Sequence, residues 1–338
     1  MKSKISAFFV LAVLFAAFAC CVQVGQAAAA PLKMAFYSPA PHPFFDEVQK
    51  GVEKFIAEQG VNVIIQYGPD WTQASENEKV EALVAQGVNA LVIYPSDASG
   101  ANGLYEEIKA HGVNIVNFGS DTERPNASDF AVATDVKQAA IEACESLIQM
   151  MGGKGNILNV LEVLEDPNTA LRKIGIEETV AKYPGVNIIQ EIAGIQNQEE
   201  AVNKIESALS ANVGKVDGMI ATGFIATVGM VQTLSDYYEK QGTSKIINCI
   251  GIDTDPTVMK AIEDGLLNAT ISQNPVGQGY ISCMLLKYMS EGYKVKGGFF
   301  IDSGCAAVTK DNLATYQNDI DAVTKNILDR LTTDYLTK

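Results

Sequence analysis

Hydrophobic and polar residues follow two alternating periods along most of this chain. Short apolar runs such as ALVIY (90–94), NIVNF (114–118) and GMIAT (218–222) are separated by amphipathic stretches with helical spacing, and glycine or proline interrupts the pattern between many of them. Nearly continuous apolar runs are typical of parallel strands that are covered on both faces. The pattern therefore predicts repeated strand–helix units of an α/β protein.

The number of these units indicates more than one sheet. The alternation of strands and helices starts again near Asp135. The strands predicted along the whole chain outnumber those that one open sheet usually contains. We predict an α/β fold made of two doubly wound, parallel-sheet lobes, each Rossmann-like.

The stretch from Lys33 to Phe45 is the first place where a ligand is expected. An apolar strand (34–37) runs into a proline-rich break (38–43), and Phe44 and Phe45 then open an amphipathic helix. In open α/β sheets, ligands bind in the crevice beyond the carboxyl ends of the strands. Two aromatic rings and the free N–H groups of a helix N-terminus would line that crevice.

The first residues form a targeting segment. Lys2 and Lys4 precede an apolar run (5–19), and a run of alanines (27–30) offers a peptidase site. We predict a signal peptide over residues 1–29 and export to the periplasm. A lipid anchor at Cys20 is the alternative, although the residues before Cys20 lack the usual aliphatic residue. No later segment is long and apolar enough to span a membrane.

Charge and cysteine content narrow the range of partners. The formal net charge of −15 disfavours nucleic acid and anionic membrane surfaces. Beyond the leader, the even number of cysteines permits a disulfide in an oxidising compartment. Their apolar surroundings and the absence of a CxxC motif favour buried thiols instead. These four cysteines are Cys144, Cys249, Cys283 and Cys305.

The residue types that catalysis needs are sparse. His42 and His111 are the only histidines, and the sequence has no GxSxG motif. Clustered Cys or His ligands for a metal are also missing. The glycine-rich segment 152–155 lies between a helix and a strand, an order opposite to that of a phosphate-binding loop, so we interpret it as a turn. We expect no enzyme activity, no cofactor and no metal.

Several motifs, in order along the chain, carry a resemblance to a known family. The chain resembles the periplasmic ribose/galactose-type (type 1) solute-binding proteins of ABC sugar importers. The motifs are PFF (43–45), ALVIYPSDASG (90–100), VNIVNFGSD (113–121), NTALRKIGIEETV (168–180), IGIDTDP (250–256), NATISQNPVGQG (268–279) and IDSGCAAVTKDNL (301–313).

The resemblance implies a periplasmic-binding-protein-like I fold, with two lobes joined by three hinge crossovers. The N-terminal lobe would comprise residues 30–134 and 275–300. The C-terminal lobe would comprise residues 135–274 and 301–338. The crossovers would then fall near 134–135, 274–275 and 301–305.

The resemblance also implies a set of ligand-binding residues. Those that match the family's motifs are Phe44, Phe45, Asn168, Arg172, Asp253 and Gln273, and the further candidates are His42, Trp71, Ser120, Asp121 and Phe224. Two positions depart from the ribose binders. Gly119-Ser120 replaces an Asp-Arg pair, with Asp121 one residue further on, and Gly223-Phe224 replaces an Asn-Asp pair, which argues against ribose itself.

The same residues also allow purely structural interpretations. Phe44 and Phe45 could both be core residues, and Trp71 could cover the surface. Asp121 and Asp253 could cap turns after strands. Arg172 could lie in a solvated ion pair, but in a desolvated cleft its guanidinium would donate to oxygen atoms of a ligand.

The implied function is capture of a small sugar or polyol for an ABC permease in the inner membrane. A chemoreceptor is a second implied partner, and we expect a monomer that does not bind nucleic acid. A furanose-type autoinducer or another non-sugar solute is the alternative ligand, suggested by the segments around Trp71 and Asp121. A lactose-repressor-like regulator would need a helix-turn-helix where this chain has its leader, and a periplasmic enzyme would show turnover.

Overall fold

A computed structural model describes residues 31–338 of the protein, except Glu165 and 242–246. The predicted signal peptide and the alternative lipid anchor at Cys20 lie outside the described residues. The described chain forms two α/β lobes with mostly parallel sheets, which confirms the predicted fold class.

The elements of the first half follow the predicted rhythm. The first five strands are β1 (Met34–Ser38), β2 (Val63–Tyr67), β3 (Ala90–Ile93), β4 (Asn114–Phe118) and β5 (Phe130–Ala133), and the helices between them are α1 (Pro43–Gln59), α2 (Gln73–Ala85) and α3 (Ala101–Ala110). Helix α1 begins at Pro43 with His42 as its N-cap and ends at Gly60, whose φ of 67° suits a residue without a side chain.

The second half repeats the pattern. Its strands are β6 (Gly155–Val160), β7 (Val186–Ile192), β8 (Gly218–Ala221), β9 (Asn248–Ile252) and β10 (Ala269–Gln273), and its helices are α4 (Val136–Met150), α5 (Pro167–Val180), α6 (Gln198–Ala211), α7 (Phe224–Gln241) and α8 (Pro256–Asp264). Helices α5 and α8 both start with an Asp-Pro pair, in which the aspartate side chain caps the free N–H groups.

The last part of the chain adds elements to both lobes. These are α9 (Pro275–Ser290), β11 (Lys294–Val295), β12 (Phe300–Asp302), β13 (Cys305–Thr309), α10 (Tyr316–Arg330), a π-helical turn (Leu331–Tyr335) and β14 (Leu336–Thr337). Strands β11 and β14 pair only with each other, as an antiparallel ribbon.

The two sheets have the same strand order. The first sheet runs β12-β5-β4-β3-β1-β2 and is parallel throughout. The second runs β13-β10-β9-β8-β6-β7, and only β13 is antiparallel to its neighbour. Because the strand order reverses next to β1 and next to β6, both sheets open a crevice at the carboxyl ends of those strands.

The structure differs from the predicted lobe division at the C-terminus. Residues 301–338 were expected in the second lobe, but Ile301 and Asp302 belong to β12 and pair with β5 of the first sheet. In addition, Ile327, Leu331 and Leu336 are buried in the core of the first lobe, because their apolar side chains pack with those of the first sheet and α9. Of the described strands in this region, only β13 joins the second sheet.

The chain passes between the sheets at three places, which hydrogen-bond to one another. They are Thr134–Asp135, Asn274–Pro275 and Ser303–Gly304. The amide of Asn274 donates to the carbonyl of Ser303 at 2.9 Å, and the hydroxyl of Thr134 donates to the carbonyl of Gly304 at 3.3 Å. The Gln278 side chain of α9 donates to the Ser303 hydroxyl at 3.0 Å. These hydrogen bonds hold the three crossings next to one another.

Candidate functional site

A cavity of about 210 Å³ lies between the two lobes. The residues around it lie at or beyond the carboxyl ends of β1, β2 and β3 in the first lobe and of β6 to β10 in the second. Pockets for drug-sized ligands measure roughly 300–1,000 Å³. The cavity therefore suits a ligand smaller than these.

The first lobe contributes an aromatic wall, which consists of Phe44, Phe45, Trp71 and Tyr94. Phe45 is only 1% exposed and lies at the centre of this wall, with its ring centroid 5.4 Å from Trp71 and 4.9 Å from Tyr94. Phe44 is half-buried, and Trp71 is 36% exposed. The flat apolar faces of such rings suit the C–H surface of a small cyclic ligand.

His42 sits at the edge of the aromatic wall as the N-cap of α1. Its Nδ1 accepts a hydrogen bond from the backbone N–H of Phe44 at 3.2 Å, so this nitrogen carries no proton. Burial lowers the pKa of His42, although the nearby carboxylates of Asp166 and Asp46 oppose the shift. Its ring centroid is 6.2 Å from that of Phe224, which lines the cavity from the second lobe.

The second lobe contributes a wall of ionisable side chains, which consists of Glu162, Asp166, Arg172 and Asp253. Arg172 lies on α5 and is 6% exposed. Its Nη1 donates to the carbonyl of Thr222 at 3.2 Å, whereas its Nε has no hydrogen-bond partner among the described residues. A buried donor without a partner is costly in free energy, so this N–H is available for a ligand.

Asp253 follows β9 in an unusual backbone conformation. The φ of Asp253 is 71°. Two hydrogen bonds hold its backbone there: the N–H of Asp253 donates to the carbonyl of Ile271 (2.8 Å), and the hydroxyl of Thr270 donates to the carbonyl of Asp253 (2.7 Å). Gln273 donates from Nε2 to its carboxylate at 2.7 Å. Burial raises the pKa of Asp253, against the opposing effects of Arg172 and Gln273. Residues held in sparsely populated backbone regions concentrate at functional sites.

Glu162 follows β6 and lies directly above Gly223. Its Oε1 accepts from the backbone N–H of Ala226 at 3.0 Å, and a Cβ atom at position 223 would fall 2.4 Å from its carboxyl carbon. A glycine at position 223 therefore makes the room for this carboxylate. Burial raises the pKa of Glu162 to about 7, and the charges of Asp253 and Asp166 act in the same direction.

Hydrogen bonds join the lobes next to the cavity. The hydroxyl of Tyr94 donates to Oδ1 of Asp166 at 2.7 Å, and the side-chain amide of Asn168 donates to the carbonyl of Gly119 at 2.8 Å. Tyr94 and Gly119 belong to the first lobe, while Asp166 and Asn168 belong to the start of α5 in the second. The structure is therefore a closed arrangement of the lobes, held in part by direct bonds across the cleft.

Ser120 and Asp121 are the two predicted site residues that lie outside the cavity lining. Neither is among the described residues that line the cavity. The Asp121 carboxylate accepts hydrogen bonds from the N–H of Thr122 (2.9 Å) and the side chain of Arg124 (2.9 Å), with longer bonds from Asn117 and Asn126. Since donors of its own loop and of the end of β4 bind this carboxylate, Asp121 stabilises the loop. The segments around Trp71 and Asp121 suggested a furanose-type signal as the alternative ligand. Of these two residues, only Trp71 lines the cavity.

The structure brings the other predicted residues together. Those that line the cavity are His42, Phe44, Phe45, Trp71, Asn168, Arg172, Phe224, Asp253 and Gln273. The sequence interpretation missed Tyr94, Glu162, Asp166, Thr169, Ile195 and Gln196, which also line it. Tyr94 is the first residue after β3 and Glu162 is the second after β6, so the rule that ligands bind at the carboxyl ends of strands could have found both.

Other expectations about the chain's chemistry concern cysteines, metals and membranes. All four described cysteines are free thiols, and Cys144, Cys249 and Cys283 are buried, as the apolar context indicated. Within 31–338, apart from the gaps, no group of three or more His, Cys, Asp or Glu side chains could hold a metal. In the same part of the chain, no helix combines the length and the apolar character that a bilayer span requires.

The sequence profile of the periplasmic binding protein domain matches residues 36–294. The chain belongs to this family. It is 23% identical over 276 residues to a xylitol-binding protein of Mycolicibacterium smegmatis, with 80% of this chain and 75% of that protein covered. It is 24% identical over 255 residues to the ribose import binding protein RbsB of Bacillus subtilis, with coverage of 75% and 80%.

Solved structures share the fold. A solute-binding protein of an ABC transporter from Burkholderia graminis, in complex with D-arabinose, superposes with a TM-score of 0.78 at 21% identity. The match covers 85% of this chain and 98% of that one. The expected class, a type 1 solute-binding protein of ABC importers, is confirmed, and the matched proteins are solute-binding transport proteins rather than enzymes.

Proposed function

We propose that this protein captures one small polyhydroxylated molecule, a sugar or a polyol, in the cleft between its lobes and delivers it to an ABC importer. Family membership supports the transport role, and the relatives bear names of binding proteins for xylitol and ribose. The ligand is held without being converted, because transport requires its release intact.

One observation carries this proposal: the cavity combines aromatic rings on one side with buried polar atoms that lack partners on the other. Nε of Arg172 is an unused donor, and Oε1 of Gln273 is an acceptor without a partner in the part of the chain that the structure describes. Hydroxyl groups both donate and accept, so a polyol satisfies both atoms at once. Its C–H surface would pack on Phe44 and Trp71.

Ligand binding would favour the closed arrangement of the lobes. A ligand that contacts Phe44 of the first lobe and Arg172 of the second gains both sets of contacts only when the cleft is closed. The permease would then meet a closed, loaded form. We propose that the protein acts in the periplasm as a monomer after removal of residues 1–29, and that a chemoreceptor is a further partner of this form.

The test is a ligand screen on protein freed of bound molecules by unfolding and refolding. Pentoses, hexoses, linear polyols and inositols are tested by thermal shift and isothermal titration calorimetry. We expect at least one to raise the melting temperature by several degrees at about 100 times its dissociation constant, because binding to the folded state alone contributes about 2.7 kcal/mol there.

The controls separate binding from catalysis and site from surface. Arg330→Ala replaces a half-exposed arginine of α10 that pairs with Asp334, so it should leave binding unchanged. The bound ligand is recovered after prolonged incubation and identified by mass spectrometry. Chemical conversion of the ligand, or the absence of any shift across the whole panel, would contradict the proposal.

A further inference from the structure

The charges around the cavity do not balance. The ionisable groups that line it are the carboxylates of Glu162, Asp166 and Asp253, the guanidinium of Arg172 and the imidazole of His42. His42 is neutral, because Nδ1 accepts a hydrogen bond and burial lowers the pKa of the ring. Arg172 is thus the one cation among the described residues around the cavity, and it faces three carboxylates.

In the part of the chain that the structure describes, Asp166 is the only one of these carboxylates whose two oxygens both accept hydrogen bonds. Oδ1 of Asp166 accepts from Tyr94, and Oδ2 accepts from the backbone N–H and the hydroxyl of Thr169 at the N-terminus of α5. The positive end of that helix also stabilises the negative charge. Asp166 therefore belongs to the closed structure and needs nothing from a ligand.

Glu162 and Asp253 are left to share one guanidinium. Arg172 lines the same cavity as both and lowers the pKa of each, yet burial outweighs it and the pKa of each carboxylate is raised. Among the described residues, the Glu162 carboxylate accepts one hydrogen bond, from Ala226, and the Asp253 carboxylate accepts one, from Gln273. One negative charge thus remains without a compensating cation in a site from which the ligand expels water.

The aromatic wall acts in the same direction as this excess charge. Phe44, Trp71 and Tyr94 line the cavity from the first lobe, and Phe224 lines it from the second. The negative face of an aromatic ring attracts a cation, with a free-energy gain of about 0.5–2 kcal/mol. The buried acceptor Oε1 of Gln273 requires a donor as well. A neutral polyol would serve the rings and Gln273 but would leave the extra carboxylate charge uncompensated.

We propose that the ligand is an aminated polyol or amino sugar, whose ammonium group is bound by Glu162 and Asp253. Its hydroxyl groups are bound by Arg172 and Gln273, and its ring packs on the aromatic wall. This inference rests on the proposed function and narrows its ligand class. Gly223 is the position that makes the site possible, since any side chain there would displace the Glu162 carboxylate.

The test compares matched pairs that differ only in one amino group. The pairs are an inosamine with myo-inositol, D-glucosamine with D-glucose, and D-galactosamine with D-galactose, each titrated calorimetrically at about pH 7.5, where Glu162 is mainly ionised. We expect the aminated member of at least one pair to bind at least tenfold more tightly than its neutral parent. Glu162→Gln should reduce this preference at least tenfold.

Two further variants keep the test decisive. Glu239→Gln alters an exposed carboxylate of the same lobe on α7 and should leave the preference intact. Should Glu162→Gln fail to fold, Gly223→Ala displaces the same carboxylate. Titration in buffers with different ionisation enthalpies gives a second readout, since a neutral ligand should bind with proton uptake and an aminated one without it.

The outcomes separate this inference from the proposed function. Two results would overturn the inference alone. In the first, the neutral parents bind as tightly as the aminated members. In the second, a neutral ligand of the wider panel binds although no aminated compound does. If no sugar or polyol of either kind binds, both fail. A melting temperature raised by calcium ions alone would also overturn the inference, because the carboxylates would then serve a metal.

Discussion

The two walls of the cleft differ in what folding alone satisfies. In the first lobe, Phe45 packs against Trp71, Tyr94 and Phe118, so its ring belongs to the hydrophobic core whether or not a ligand is present. In the second lobe, Arg172 keeps a buried N–H without a partner among the described residues. The aromatic wall is therefore complete on folding, whereas the ionisable wall is completed only by a ligand.

This difference separates stability from affinity. Changes to the centre of the aromatic wall should act mainly on the free energy of unfolding, and changes to the ionisable wall should act mainly on ligand binding. The variants below and one pH dependence test this division, from the largest expected effect to the smallest.

Phe45→Ala should reduce the free energy of unfolding by roughly 3–5 kcal/mol, because it removes a fully buried ring and leaves a cavity. Urea denaturation of the ligand-free protein measures the effect. Phe44→Ala is the matched control: Phe44 is half-buried, so its loss should cost less stability while still weakening ligand binding. Equal losses of stability in the two variants would contradict the assignment of Phe45 to the core.

Arg172→Ala should weaken ligand binding at least a hundredfold, about 2.7 kcal/mol, because it removes charged hydrogen bonds worth roughly 1.5–3 kcal/mol each. Asp253→Ala should weaken binding to a similar extent. Both proteins should remain folded, as judged by circular dichroism. Normal calorimetric binding by both variants would show that the ionisable wall does not contact the ligand.

The stability of the ligand-free protein should depend on pH through Glu162. Its pKa is raised from 4.5 to about 7, so the folded state binds a proton more tightly than the unfolded state does. The contribution of this group to stability is therefore fully present below about pH 4.5 and is lost as the pH rises to about 7. The loss should be about 2 kcal/mol, allowing for water in the open cleft.

Urea denaturation of wild type and Glu162→Gln across this pH range isolates the effect. The difference in the free energy of unfolding between the two proteins should change by about 2 kcal/mol over this range, because the other carboxylates are common to both. A difference that stays constant with pH would mean that Glu162 titrates normally.

Tyr94→Phe should have the smallest effect, because it removes one hydroxyl and its 2.7 Å bond to Asp166 across the cleft. A hydrogen bond to a charged group is worth roughly 1.5–3 kcal/mol, and solvent that enters the open cleft replaces part of it, so we expect about 1 kcal/mol. Ligand affinity should fall several-fold, and small-angle scattering of the ligand-free protein should show a larger radius of gyration. An unchanged radius would place the control of closure elsewhere.

Several parts of the site followed from local sequence. The strand, proline break and helix that present Phe44 and Phe45 lie within 13 consecutive residues, 33–45, and their hydrophobic pattern alone predicted the arrangement. Asp253 and Gln273 likewise follow or end a strand. Because the carboxyl ends of parallel strands meet at one edge, residues at these positions are brought together by the topology itself.

Other parts depended on contacts between distant segments. Asp121 and Glu162 both come just after a strand, yet the loop donors of Asp121 hold it away from the cavity while Glu162 lines it. The space for Glu162 comes from Gly223, 61 positions further along the chain. The C-terminal segment packs on the first lobe because its apolar residues find their complement there.

The sequence by itself determined the alternation of strands and helices, the two-lobe α/β class and most residues at the strand ends, because these depend on periodicity and on local capping. The tertiary structure alone decided which carboxylates enter the cleft, how the lobes bond across it and where the last 30 or so residues belong. Those features arise from side chains that compete for the same donors and the same space, and this competition is settled only when distant segments meet.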